Sequence, residues 1–283
     1  FFENIYLKIF FLIIIFIFLC TPTFEWDPRS LWLFHAKRIF FDASIYSVAD
    51  NYAQFSHNDY PLLVPAFSSS FAFLVGYWHE VFPKSAFTFI YLPPLIFLSS
   101  YLNNKKYIIF LSVLIFFIGQ YLFNGGADGI VSVYFITCAF CFYYIFFEKN
   151  NEKIDPIFYI LTVLFCTSLA LIKNEGLALL LVIFTTTVLI KLFERKMLNS
   201  EFIKKILVLS VSFLPMLLWK LFCYKNNIAN DYVNVHFLDQ VLSRISSLEN
   251  YELFFHYFFF SNEKILIALA IFLISFYINF NKK

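Results

Sequence analysis

Nine apolar stretches, separated by short polar breaks, set the pattern of this chain: Ile5–Cys20, Pro61–Trp78, Phe87–Leu102, Tyr107–Phe123, Ile130–Phe147, Ile157–Ile172, Leu177–Phe193, Ile206–Cys223 and Ile265–Phe280. Most approach the roughly 17–25 apolar residues that a helix needs to cross a bilayer. The pattern predicts an all-α, polytopic helical membrane protein.

Nine full crossings conflict with charge. With Asp27 outside, they place Asn103–Lys106, Glu148–Lys153 and Lys191–Lys205 outside too, against the preference for Lys and Arg on the inner side. The conflict disappears if Pro61–Trp78 lies in or re-enters the interface. It opens on Pro61, carries Ser68, Ser69 and Ser70 mid-run, and ends in Tyr77–Glu80. About eight transmembrane helices then remain, with interfacial helices on the outer face. The inner segments carry 12 basic and 6 acidic residues and the outer ones 9 and 13, so the sides hold +6 and −4. The expected organisation is a single transmembrane domain over residues 1–283. It has a first external loop at 21–60 and a late one at 224–262.

Composition supports the class. Hydrophobic residues make up 61% of the 283, against about 45–50% in soluble domains. A net charge of +2 argues against a nucleic-acid partner. The five cysteines lie in or beside apolar runs and read as small core residues rather than ligands. The first run reads as a retained helix, because no small-residue cleavage site follows it. The chain begins with Phe rather than Met, which leaves open that it is a fragment.

Charge is densest in Thr23–Asp42, where Glu25, Asp27, Arg29, His35, Lys37, Arg38 and Asp42 alternate with Trp26, Trp32 and Phe residues suited to a membrane boundary. Asp27 is a candidate general base; the structural alternative is a loop acid paired with Arg29. Lys37 and Arg38 either anchor an amphipathic helix to lipid or bind a substrate phosphate. His57-Asn58-Asp59-Tyr60-Pro61 opens the interfacial segment, with Asp59 or Asn58 as a helix cap in the plainer reading. Asp128 follows Gly125-Gly126 at the head of a helix, where an acid suits the helix dipole. Lys173 and Glu175 sit in a short turn between two apolar runs; charges at such depth are a functional hypothesis by default, and mutual neutralisation is the alternative. The late loop carries Asp231, His236, Asp239, Arg244 and His256 in no metal or triad spacing.

Taken in order, WDPRSLWLFHAKRIF, HNDYPLLVP, GGADGIVSVYF and KNEGL resemble the GT-C superfamily of membrane glycosyltransferases, in particular the aminoarabinose-transferase and dolichyl-phosphate-mannose protein mannosyltransferase branches. The resemblance covers Trp26 to Gly176. It implies Asp27 as catalytic base in the first external loop and Asp128 as the second catalytic acid. It implies substrate contacts from Lys37, Arg38, His57, Asp59, Lys173 and Glu175. It further implies a polyprenyl-phosphate-linked sugar as donor, an acceptor of unspecified kind (lipid, glycan or protein), and the bacterial inner membrane as location. The segment departs from the families in having one Pro at position 61 where two are usual, and no Asp-x-Asp after the first helix. No metal and no cofactor is expected. Two other classes stay open. A transporter or lipid flippase would line its path with Lys173 and Glu175. An O-antigen polymerase or ligase would need more arginines in the late loop than Arg244 alone.

Overall fold

The computed structural model describes residues 5–228, apart from 21, 22, 24, 51, 53–55, 103, 149–154 and 194–199, and beyond them 230, 242, 243, 246, 247, 251–253 and 256. The chain divides into two compact units, Phe1–Ala229 and Asn230–Lys283. In the second, only short helical pieces near Leu242 and Tyr251 are described. The expected last span, Ile265–Phe280, lies outside the described residues, as do Asp231, His236, Asp239 and Arg244. His256 of the same late loop is described and exposed.

Every described element of the first unit is helical. α1 spans Ile5–Cys20. A π-helical turn, Pro28–Trp32, runs into α2, Leu33–Asp42. α3 is Leu63–Val75, α4 Phe82–Tyr101, α5 Asn104–Phe123 and α6 Asp128–Phe147. α7 is Pro156–Ile172, α8 Asn174–Phe193, α9 Ser200–Ser210 and α10 Leu214–Lys225. A 3-10 turn at Val211–Phe213 joins α9 to α10. Pro215 explains that break, because it lacks the N–H that a continuous helix would need there.

Among the described residues, three helical stretches are long and apolar enough to cross a membrane: Asp128–Phe147, Asn174–Phe193 and Ser200–Lys225. They are compatible with a membrane protein. Their surroundings differ. More than half of the apolar window of α6 is buried (56%), against 28% for α8 and 22% for Ser200–Lys225. Apolar residues all round mark α6 as the core helix, and it packs on α4, α5, α7 and α8. α8 and α10 leave Leu181, Val182, Leu189, Leu217, Leu218 and Leu221 exposed. Apolar faces that broad suit contact with lipid.

Two expected boundaries shift. The interfacial run Pro61–Trp78 forms only the 13-residue α3, whose cap is Leu62 without a side-chain bond. The run at Phe87 begins earlier, so that Lys84 enters the first turn of α4.

Candidate functional site

The turn His57–Tyr60 is the centre of the polar end of the bundle. Its four residues are all buried. His57 has a left-handed backbone (φ 48°), uncommon for a residue with a side chain. The Tyr60 N–H closes the turn on the His57 carbonyl at 2.9 Å, and the two rings stack at 4.7 Å. The plainer expectation, Asp59 or Asn58 capping a helix at Pro61, is corrected here. The helix starts two residues later, at Leu63, and the Asp59 side chain turns to other partners.

Asp59 Oδ2 accepts from Asn174 Nδ2 at 2.8 Å and from Lys220 Nζ at 2.9 Å. Its carbonyl accepts from Trp219 Nε1 at 2.9 Å. Tyr60 donates to Glu175 Oε1 at 3.1 Å. Lys173 donates to Asp128 Oδ1 at 2.9 Å and lies 3.4 Å from Glu175 Oε1. Burial works against the charge on Lys173, but the hydrogen bond and charge of Asp128, then those of Glu175, outweigh it and raise its pKa. The start of α6, the turn between α7 and α8, the segment before α3 and the end of α10 therefore meet at one end of the bundle.

The start of α4 and the first loop reach the same end. Gly125 has φ +83°, and a Cβ there would stand 3.1 Å from Lys84 Cδ and 3.4 Å from Pro28 Cβ. Only a glycine keeps that backbone unstrained with two side chains so close. Lys84 is wholly buried. The loop of Asp27 and the loop of Asp128 thus both border the Lys84 stem.

Asp27 is half-buried before the π-helical turn and makes no side-chain cap bond. Among the described residues its carboxylate has no hydrogen bond or ion pair, so the pairing with Arg29 is absent there. Asp128 and Glu175 are each about half exposed at the side chain, 50% and 54%.

Lys37 and Arg38 stand apart from that network. Lys37 pairs with Glu80 at 2.8 Å. Arg38 pairs with Asp42 and, at 2.7 Å, with Asp50, and lies over the Tyr52 ring. Both cations expected to hold a substrate phosphate are already matched by carboxylates. Behind them His35 donates from Nε2 to the Ser56 carbonyl at 2.6 Å and meets the Tyr52 hydroxyl at Nδ1. Burial lowers its pKa to about 4.

Lys84, Asn174, Trp219 and Lys220 join the site without belonging to the expected set. Lys84 and Lys220 carry a signal in the sequence, since each is a cation at the margin of an apolar run. Among the described residues no three His, Cys, Asp or Glu side chains come together as a metal site would require. Compared with known proteins, the chain matches no family model, no curated protein and no solved structure.

Proposed function

We propose that this protein is a membrane glycosyltransferase of GT-C type that moves a sugar from a polyprenyl phosphate to an acceptor at the outer face. The observation that carries the reading is the joining of HNDY, GGAD and KNE into one polar network, with the loop of Asp27 against the same end. Helix order supports the orientation. The starts of α4, α6 and α8 and the end of α10 meet at the polar end, as spans that alternate in direction around an interfacial α3 require. The described basic residues Lys106 at the start of α5, Lys191 at the end of α8 and Lys204 and Lys205 in α9 then belong to the opposite end, as the charge split demands.

In this reading Asp27 takes the proton of the acceptor hydroxyl as it attacks the anomeric carbon, and the lipid phosphate leaves. Lys173 keeps Asp128 at 2.9 Å and exchanges its longer 3.4 Å contact with Glu175 for the leaving phosphate, to which it then supplies positive charge. Asp128 and Glu175 hold Lys173 in place, while Tyr60 orients Glu175. Asp59 ties Asn174 and Lys220 to the same end. Lys37 and Arg38 serve the anchoring of α2.

The test is transfer from radiolabelled polyprenyl-phosphate sugars by the full chain in nanodiscs. Asp27→Asn is expected to lower the rate by about 10²–10⁴-fold, the range of a general base. A wild-type rate in that variant overturns the assignment. A second reading has one specific observation behind it: Lys220, inside a stretch able to cross a membrane, is paired with buried Asp59. Ion pairs at depth also line transport paths. Solute or lipid flux without transfer, lost in Glu175→Gln, would favour it.

A further inference from the structure

A cavity of about 490 Å³ opens between the first loop and the start of α4, a size within the usual range for small-molecule sites. Its polar wall holds Thr23, Arg29, Lys37 and Glu80; its apolar wall holds Leu33, Phe34 and Val81. Lys37 and Glu80 neutralise each other at 2.8 Å, and Glu80 also accepts from Trp78 Nε1 at 3.2 Å. Arg29 is different. Among the described residues its guanidinium has no ion pair or hydrogen bond, so the cavity keeps one uncompensated positive charge. The Thr23 hydroxyl is buried and has no partner among the described residues.

We infer that this cavity binds an acidic saccharide, a sugar carrying a phosphate or carboxylate, with Arg29 on the acid group. The planar guanidinium matches such an oxyanion in two parallel hydrogen bonds. Lys37 and Glu80 offer a donor and an acceptor to sugar hydroxyls, and Phe34 with Leu33 and Val81 covers an apolar ring face. Arg29 follows Asp27 by two residues, so the cavity and the candidate base belong to the same loop. Its role as the acceptor subsite rests on the glycosyl-transfer reading; the binding itself does not.

The experiment measures binding of glucose 6-phosphate, glucose and inorganic phosphate to the full chain in phosphatidylcholine nanodiscs. Arg29→Gln is expected to weaken glucose 6-phosphate at least tenfold while leaving glucose within twofold. Phe34→Ala is expected to weaken both sugars. Equal affinity of the wild type and Arg29→Gln for glucose 6-phosphate overturns the proposal, as does inorganic phosphate binding as tightly as the sugar phosphate. Replacing part of the phosphatidylcholine with phosphatidylinositol identifies the source. Competition that disappears in Arg29→Gln assigns the site to a lipid head, and its absence assigns it to a soluble sugar. Binding that persists where transfer is undetectable rejects the transferase reading and keeps the site.

Discussion

Two charged regions of this molecule behave in opposite ways. The first loop and α2 hold the densest charge in the sequence, yet Lys37, Arg38, Asp42, Asp50 and Glu80 form partly exposed, mutually neutralising pairs. The sparse charges, Asp59, Asp128, Lys173, Glu175 and Lys220, come from distant parts of the chain and join into one partly buried network. Charge density along a chain reports solvent contact. Isolated charge at the edge of an apolar run reports a structural or chemical demand strong enough to offset its desolvation.

That contrast yields graded expectations. Lys220→Met takes from buried Asp59 the ammonium that stands 2.9 Å away. The expected cost in detergent unfolding is about 3 kcal/mol, the low end for a broken buried pair because Lys220 itself is a third exposed. The double variant Asp59→Asn with Lys220→Met is expected to recover most of that loss; equal instability in both would contradict the pairing account.

Acid should loosen the first loop next. The fold lowers the His35 pKa from 6.5 to about 4, so the unfolded chain binds the extra proton first. Stability is then full above pH 6.5, falls between 6.5 and 4, and levels off below, by up to about 3 kcal/mol in total. His35→Phe is expected to flatten that pH dependence; an unchanged slope would remove His35 as its cause.

Gly176→Ala tests the packing beneath the network. An added Cβ would stand 1.9 Å from the Leu169 carbonyl oxygen, so the α7–α8 turn must shift, at about 1–3 kcal/mol. The smallest effect belongs to the exposed pairs. Lys37→Ala is expected to change stability by less than about 1 kcal/mol, read in the same unfolding assay.

Much of the helical framework was legible because an apolar run long enough to cross a bilayer has few other structures available to it. The motifs around Asp59, Asp128 and Lys173 were legible as polar interruptions of those runs. Their partners were not. Lys220 sits in an apolar run that ends three residues later, and nothing local says that it faces Asp59, 161 positions away. Lys84 was visible as a cation before an apolar run, but not the glycine of another loop, Gly125, that lies against its stem. Lys37 and Arg38 stayed ambiguous because a cation near an acid is equally compatible with binding and with surface pairing until distances are known.

The most direct test of the account is one-sided labelling. Single cysteines at Asn124, Glu175, Lys106 and Glu148, in a cysteine-free background, would be exposed to a membrane-impermeant reagent in sealed vesicles. The account predicts that Asn124→Cys and Glu175→Cys label from one side, while Lys106→Cys and Glu148→Cys label only from the other. Labelling of Lys106→Cys and Glu175→Cys from the same side would contradict a single polar site at one membrane face.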